Sequence, residues 1–135
     1  MINIELVDRE YIFDTSRLEK WLTKVVINEN MSIGILSIVL GSDEWLLEKN
    51  VEFLNHDFYT DIITFDYTED QIISGVLLIS LDRVTENAEL NNVSRETELM
   101  RVVVHGTLHL LGYDDKSKKD AELMRKKEDY YLSLL

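Results

Sequence analysis

The chain contains no cysteine and no proline, and among its 135 residues it has only five glycines and three histidines. Without cysteine there is neither a disulfide framework nor a thiolate metal site, so any metal must be held by imidazole, carboxylate or water. Without proline, repeats or a low-complexity stretch, nothing marks a linker, and a chain of this length supports one hydrophobic core. The reading is therefore a single domain, 1–135. No apolar run reaches the roughly 18 residues that a membrane span needs. The opening MINIELVDREY has neither the basic start nor the apolar stretch of a secretory signal, which leaves a cytoplasmic protein away from the membrane as the expectation.

Positive charge is also scarce. Fourteen Lys and Arg stand against 26 Asp and Glu, a net charge of -12. Such a surface argues against broad, sequence-independent attraction to nucleic acid. The deficit is uneven, because Lys116, Lys118, Lys119, Arg125, Lys126 and Lys127 crowd into one short segment. That segment is either a solvated helix face or a local patch for phosphate.

The remaining pattern is that of a mixed α/β (α+β) domain. INIELV alternates as a half-buried strand, with Ile2, Ile4 and Leu6 on one side. Ser16 and Glu19 form a candidate capping box for a helix carrying Leu18, Trp21, Leu22, Val25 and Val26. SIGILSIVL at 32–40 reads as a strand, and a helix ends near Leu54. DIITFDY at 61–67 and SGVLLIS at 74–80 read as paired strands. Ser80 or Asp82 caps a helix through Leu90, and Ser94 caps a long one from about Arg95 to Leu111 that Gly112 ends. A last helix, about Lys118 to Leu134, turns Ala121, Leu123, Met124, Tyr131 and Leu134 inward. The order β α β α β β α α α gives a small mixed four-stranded sheet covered by helices, with a candidate metal site on a central helix.

Chemistry concentrates in VVVHGTLHLLGYDD, residues 102–115. His105 and His109 are four apart, so on a helix both can aim a nitrogen at one ion. Zn²⁺ takes three or four such ligands, and the turn at Gly112 can return Asp114 or Asp115 as the third. Gly106 costs about 1 kcal/mol relative to alanine in a helix interior, which points to close backbone packing or room for a ligand. Spacing alone leaves a satisfied core pair open beside the metal site. The zinc-protease pattern H-E-x-x-H is absent, since glycine follows His105, so a hydrolytic base must come from elsewhere.

From His105 to Asp115 the chain reads H-G-T-L-H-L-L-G-Y-D-D. This resembles the hallmark H-G-x-L-H-L-x-G-Y-D-H of the YbeY family of bacterial rRNA-maturation endoribonucleases, differing only at the last position. N-V-E-F-L-N-H-D-F-Y-T-D-I-I-T-F, Asn50 to Phe65, is similar to the family's second signature, and Gly75 to Ala88 to its G-D-I-x-I-S strand and following helix. The resemblance covers most of 50–135, and the first 50 residues fit in order and length.

The resemblance implies a metal-dependent endoribonuclease that cuts single-stranded RNA in precursor rRNA and acts in maturation and quality control of the small ribosomal subunit. Precursor rRNA, the small subunit and ribosome-associated proteins are the implied partners. It implies one zinc ion per chain, with nickel or another divalent metal as alternatives, at a catalytic and metal-binding set of His105, His109 and Asp115. Asp115 stands where the family has a third histidine. Leu54 stands where the family has an arginine that faces the cleft, and leucine makes no bidentate phosphate contact. Tyr59 replaces the family's proline, Thr60 and Asp61 keep its pattern, and His56 falls at a variable loop position. Lys116, Lys118, Lys119 and Arg101 are then candidate nucleic-acid contacts. Two other readings stay open: a non-catalytic ribosome-assembly factor with a structural metal, and a metallohydrolase of another substrate.

Overall fold

A computed structural model describes residues 1–135. The elements follow the expected order: β1 (Ile2–Leu6), α1 (Thr15–Asn28), β2 (Ser32–Gly41), α2 (Asp43–Leu54), β3 (Ile62–Asp66), β4 (Ile72–Ser80), α3 (Leu81–Leu90), α4 (Arg95–Leu110) and α5 (Lys118–Leu132). The strands form one sheet in the order β1-β2-β4-β3. β1 and β4 both run parallel to β2, while β3 is antiparallel to β4 and forms an edge. No helix is long and apolar enough to cross a membrane.

Strand alternation divides the sheet into two faces. Leu36, Ile38 and Leu40 of β2 and Ile73, Leu77 and Ile79 of β4 point into the main core, against Leu18, Leu22 and Val26 of α1 and Leu99, Val103 and Leu108 of α4. The intervening Leu78 packs on the opposite face with Leu46 of α2 and Ile63. Burial on both faces explains why β4 reads as a nearly unbroken apolar run. Gly106 lets α4 lie directly on the sheet: a Cβ there would come within 2.7 Å of Ile62 Cδ1 and 2.9 Å of Leu77 Cδ2. The glycine therefore serves close packing of the helix that carries the histidines.

Several local expectations change. Asp14, not Ser16, caps α1, with its carboxylate accepting from Arg17 N at 3.0 Å. Ser80 caps α3 and Ser94 caps α4, each accepting from the backbone N–H three residues on. Ile2 and Ile4 pack against the core, but Leu6 at the end of β1 is exposed. In α5 the inward stripe is Met124, Glu128 and Tyr131, whereas Ala121 and Leu123, and Leu134 beyond the helix end, are exposed. Helical spacing from Met124 leads to Glu128 and then Tyr131, so α5 buries a carboxylate where apolar counting would skip it.

Glu29, the residue that ends α1, ties three elements together. Its carboxylate accepts from the Tyr113 hydroxyl at 2.6 Å, from Lys127 Nζ at 3.2 Å and from the Tyr131 hydroxyl. Burial pushes its pKa up, but these three donors outweigh burial and hold it below the usual glutamate value. A depressed folded-state pKa contributes stability above the unfolded value of about 4.3, and that stability is lost as pH falls through the lower folded value. Glu29→Gln is expected to cost about 1.5–3 kcal/mol at pH 7, the range for hydrogen bonds to a charged group. The deficit should shrink in acid; urea melts of both proteins at pH 7 and pH 3 check it, and an equal deficit at both values would remove the charge from the account.

Candidate metal centre

Helix α4 presents two different surfaces. Val102, Val103, Gly106 and Leu110 are buried in the direction of the sheet, while Arg101, His105 and His109, each four apart, form a half-buried stripe. The stripe ends where the helix does. Gly112 has φ +101, a conformation that strains any residue with a Cβ. Its N–H donates to His109 O at 3.0 Å, and Tyr113 N donates to Leu108 O at 3.0 Å, the paired bonds of a Schellman motif.

The turn does two things for the site. It leaves the Tyr113 carbonyl facing back, 3.1 Å from His109 Nδ1, and it returns Asp115 to the histidines. Asp114 instead shapes the loop, because its Oδ1 accepts from the backbone N–H groups of Asp115 at 2.7 Å and Lys116 at 3.2 Å. Of the two candidate aspartates, Asp115 is the one that reaches the pair.

Three acceptor atoms then face one another. His105 Nε2 and His109 Nε2 are 3.2 Å apart, and Asp115 Oδ2 lies 3.4 Å and 3.6 Å from them. A tetrahedron with metal–ligand bonds of about 2.0–2.1 Å has edges of about 3.3–3.4 Å, so the triangle has the size of one face of such a site. The donor set, two imidazoles and one carboxylate, could hold a metal ion.

The tautomers fit as well. Glu128 Oε2 sits 2.7 Å from His105 Nδ1 and the Tyr113 carbonyl faces His109 Nδ1, so both Nδ1 atoms donate and both Nε2 lone pairs point into the triangle. With both rings neutral in this tautomer, the three lone pairs repel unless a proton or a cation lies between them. The surroundings favour positive charge too: burial pushes His105 towards neutrality, but Glu128, Asp115 and Asp61 together raise its pKa above the ordinary value.

Glu128 is itself held in place. It is 5% exposed and pairs with Arg101 Nη1 at 3.0 Å, and although burial pushes its pKa up, His105 and Arg101 keep it below the glutamate value. The other arm of the Arg101 guanidinium pairs with Asp129 at 2.8 Å. Arg101 thus reaches the site's edge, but both arms of its guanidinium are engaged.

The triad is accessible, with side-chain exposures of 26%, 28% and 40% for His105, His109 and Asp115. Two hollows flank it. One lies between α3, α4 and α5 and is lined by Asn87, Asn91, Glu98, Arg101 and Arg125 beside His105 and Asp115. The other runs along β3 past Thr60, Thr64 and Asp66 beside both histidines. Asp61 and His105 line both, so the hollows meet at the candidate triad.

Of the other sequence candidates, Lys116, Lys118 and Lys119 are exposed and line neither hollow. His56 is exposed and stacks on Phe58, as a loop residue. Leu54 is exposed at the end of α2 and is absent from both linings. Sequence reasoning missed Glu128 and Glu98; the signal for Glu128 was its place on the Met124–Tyr131 stripe.

Glu128→Gln keeps an acceptor for His105 but removes the charge that makes the imidazole a better ligand. Zn²⁺ affinity measured by competition with a chelating dye is expected to fall roughly 10- to 100-fold. Full occupancy should still be reached at high metal, and an unchanged affinity would make the contact one of packing alone.

The sequence model of the family described as Endoribonuclease YbeY matches residues 3–135. A protein of Flavobacterium johnsoniae named Endoribonuclease YbeY is 46% identical over 135 residues, 99% of this chain and 96% of the relative. One of the same name from Cytophaga hutchinsonii is 48% identical over 120 residues, 88% and 84% of the two chains. A solution structure of a Thermotoga maritima protein superposes with a TM-score of 0.71 at 30% identity, covering 98% of this chain and 87% of that one. The fold, the motif helix and these relatives agree: the chain belongs to the Endoribonuclease YbeY family.

Proposed function

We propose that the chain is a metal-dependent endoribonuclease that cuts single-stranded RNA, and that it acts on precursor rRNA in the maturation and quality control of the small ribosomal subunit. The observation that carries the hydrolytic reading is the triangle of His105, His109 and Asp115 lone pairs, sized for one divalent ion and open on the side where two hollows meet. The rRNA substrate and the small subunit as partner rest on the resemblance of the two sequence signatures. The proposed ion is one zinc per chain, with nickel or another divalent ion as the alternative; a carboxylate in place of a third imidazole makes the site less positive and shifts its preference towards harder ions. The proposed compartment is the cytoplasm.

When bound, the metal supplies Lewis acidity to the scissile phosphate and to water at the open position. The residues of the chain do the rest. His105, His109 and Asp115 would hold the ion, Glu128 and the Tyr113 carbonyl fix the two rings, and Asp61 stands where the hollows meet as the carboxylate available to take a proton from the attacking water.

The assembly-factor reading draws on Leu54, which removes a phosphate contact. Against it stands the exposure of all three ligands, because structural metal sites are closed by four protein ligands and this one offers three. Lys116, Lys118 and Lys119 remain proposed as outer contacts that guide RNA to the cleft, and Arg101 as a structural cation of its wall.

The test begins with metal analysis of the purified protein beside His105→Ala/His109→Ala and Asp115→Ala. About one metal per chain is expected in the parent, none in the double variant and weaker retention in Asp115→Ala. Cleavage of a single-stranded precursor-rRNA fragment should follow metal content, falling at least about 100-fold in the double variant. Metal bound without any cleavage would transfer the case to the assembly factor.

A further inference from the structure

The hollow between α3, α4 and α5 has a volume of about 340 Å³ and contains a group that the metal chemistry leaves unused. Glu98, one turn before Arg101 on the same stripe of α4, is only 5% exposed. Its carboxylate accepts a hydrogen bond from Asn91 Nδ2 at 3.3 Å and pairs with no cation. The nearby Arg101 is committed to Glu128 and Asp129. The Glu98 carboxylate therefore has one amide partner and no counter-ion. Its second oxygen is an acceptor without a donor in a polar hollow.

The other polar groups around it complete a recognition set. Asn87, one turn before Asn91, contributes a half-buried side-chain amide that makes no hydrogen bond within the protein. Arg125 stands at the rim with 60% of its side chain exposed, 3.9 Å from Glu128, and is the lining cation that is not doubly paired. His105 and Asp115 form part of the same wall, so whatever fills the hollow lies against the metal site.

Single-stranded RNA is read through unstacked bases bonded along their Watson–Crick edges. A carboxylate is acceptor-only, and among the four bases guanine alone offers two adjacent donors, N1–H and N2–H, with a carbonyl beside them for an amide N–H. Uracil would set carbonyls against the carboxylate, and adenine and cytosine each offer one amine beside a ring acceptor. The endoribonuclease reading supplies the chain of nucleotides, and the inference rests on it. We propose that this hollow is a base-recognition subsite that holds an unstacked guanine beside the scissile phosphate. Glu98 accepts from N1–H and N2–H, Asn87 donates to O6, and Arg125 pairs with the flanking phosphate.

The experiment uses the full chain loaded with zinc and fluorescently labelled single-stranded hexanucleotides: oligouridylate, and the same sequence with one G, A or C. Binding is read by anisotropy and cleavage by gel. The parent is expected to bind the G-containing oligomer about tenfold tighter than the other three. Glu98→Gln should bring that ratio to within about twofold, and Asn87→Ala, at a half-buried position whose side chain makes no hydrogen bond within the protein, should lower it in part. Arg125→Ala should instead weaken all four alike and reduce the slope of log affinity against log salt by about one. Equal affinity of the parent for all four, or a guanine preference that survives both Glu98→Gln and Asn87→Ala, overturns the subsite while cleavage by the parent upholds the nuclease. A zinc-loaded parent that neither binds nor cuts any oligomer overturns the nuclease reading and the subsite with it.

Discussion

Two imidazole nitrogens and a carboxylate oxygen converge within 3.2–3.6 Å of one another, and each presents a lone pair to the other two. Left to themselves these groups would separate or take up protons. Holding them together requires that each be fixed from behind, and much of the architecture does this. The Schellman turn at Gly112 sets the Tyr113 carbonyl against His109 and starts the loop that returns Asp115. Helix α5 brings Glu128 to the back of His105. The fold thus stores a demand for positive charge, and a divalent cation meets it better than a proton because it serves three lone pairs at once.

That demand is shared between layers. The Tyr113 backbone holds His109, and its hydroxyl is held in turn by Glu29 at the end of α1, which also binds Lys127 and Tyr131 of α5. One carboxylate therefore fixes the loop behind one ligand to the helix behind the other. Arg101 completes the frame by pairing with Glu128 and Asp129, so α4 and α5 are joined beside His105. Gly106 lets α4 approach Ile62 and Leu77 closely, which sets the distance between the histidine stripe and Asp61 at the head of β3. Packing and site geometry are thus the same problem solved by the same residues.

What could be read from the sequence follows from this division. The order of elements was legible because β2, β4 and α4 repeat apolar residues at clear periods, and the ligands were legible because they lie within one helix and its cap. Asp115 could be separated from Asp114 only through the family motif; spacing left both open, and the hydrogen bonds of Asp114 to its own loop decide between them. Glu128 and Glu98 were hidden for a different reason. Each is a charged residue at a position that helical periodicity assigns to the interior, and periodicity alone treats a charge as solvent-facing. Their partners lie 23 residues away for Glu128 and across the α3–α4 turn for Glu98, so only the tertiary arrangement reveals them. The cap of α1 moved from Ser16 to Asp14 because the Asp14 carboxylate accepts from Arg17 N and starts the helix at Thr15, which leaves Ser16 inside the first turn.

The charge balance sets the last constraint. A chain with a net charge of -12 repels a phosphate backbone at long range, yet its reactive centre must sit against one. Within the cleft the β3 hollow adds Asp66 to the shared Asp61 and contains no Lys or Arg, so a strand lying there would meet only like charge until the metal is in place. The α5 hollow carries Arg125 at its rim, while the five lysines of the same segment lie outside its lining. At physiological salt, screening within about 8 Å removes most of the long-range repulsion but leaves contacts at the rim intact. With a metal held by the triad, the rim cation Arg125 would be the charge placed to act beside it on a phosphate backbone. Under the proposed function, selectivity has to come from what the cleft can recognise at short range, and the buried carboxylate of Glu98, in the same hollow as His105 and Asp115, is the group proposed to supply it.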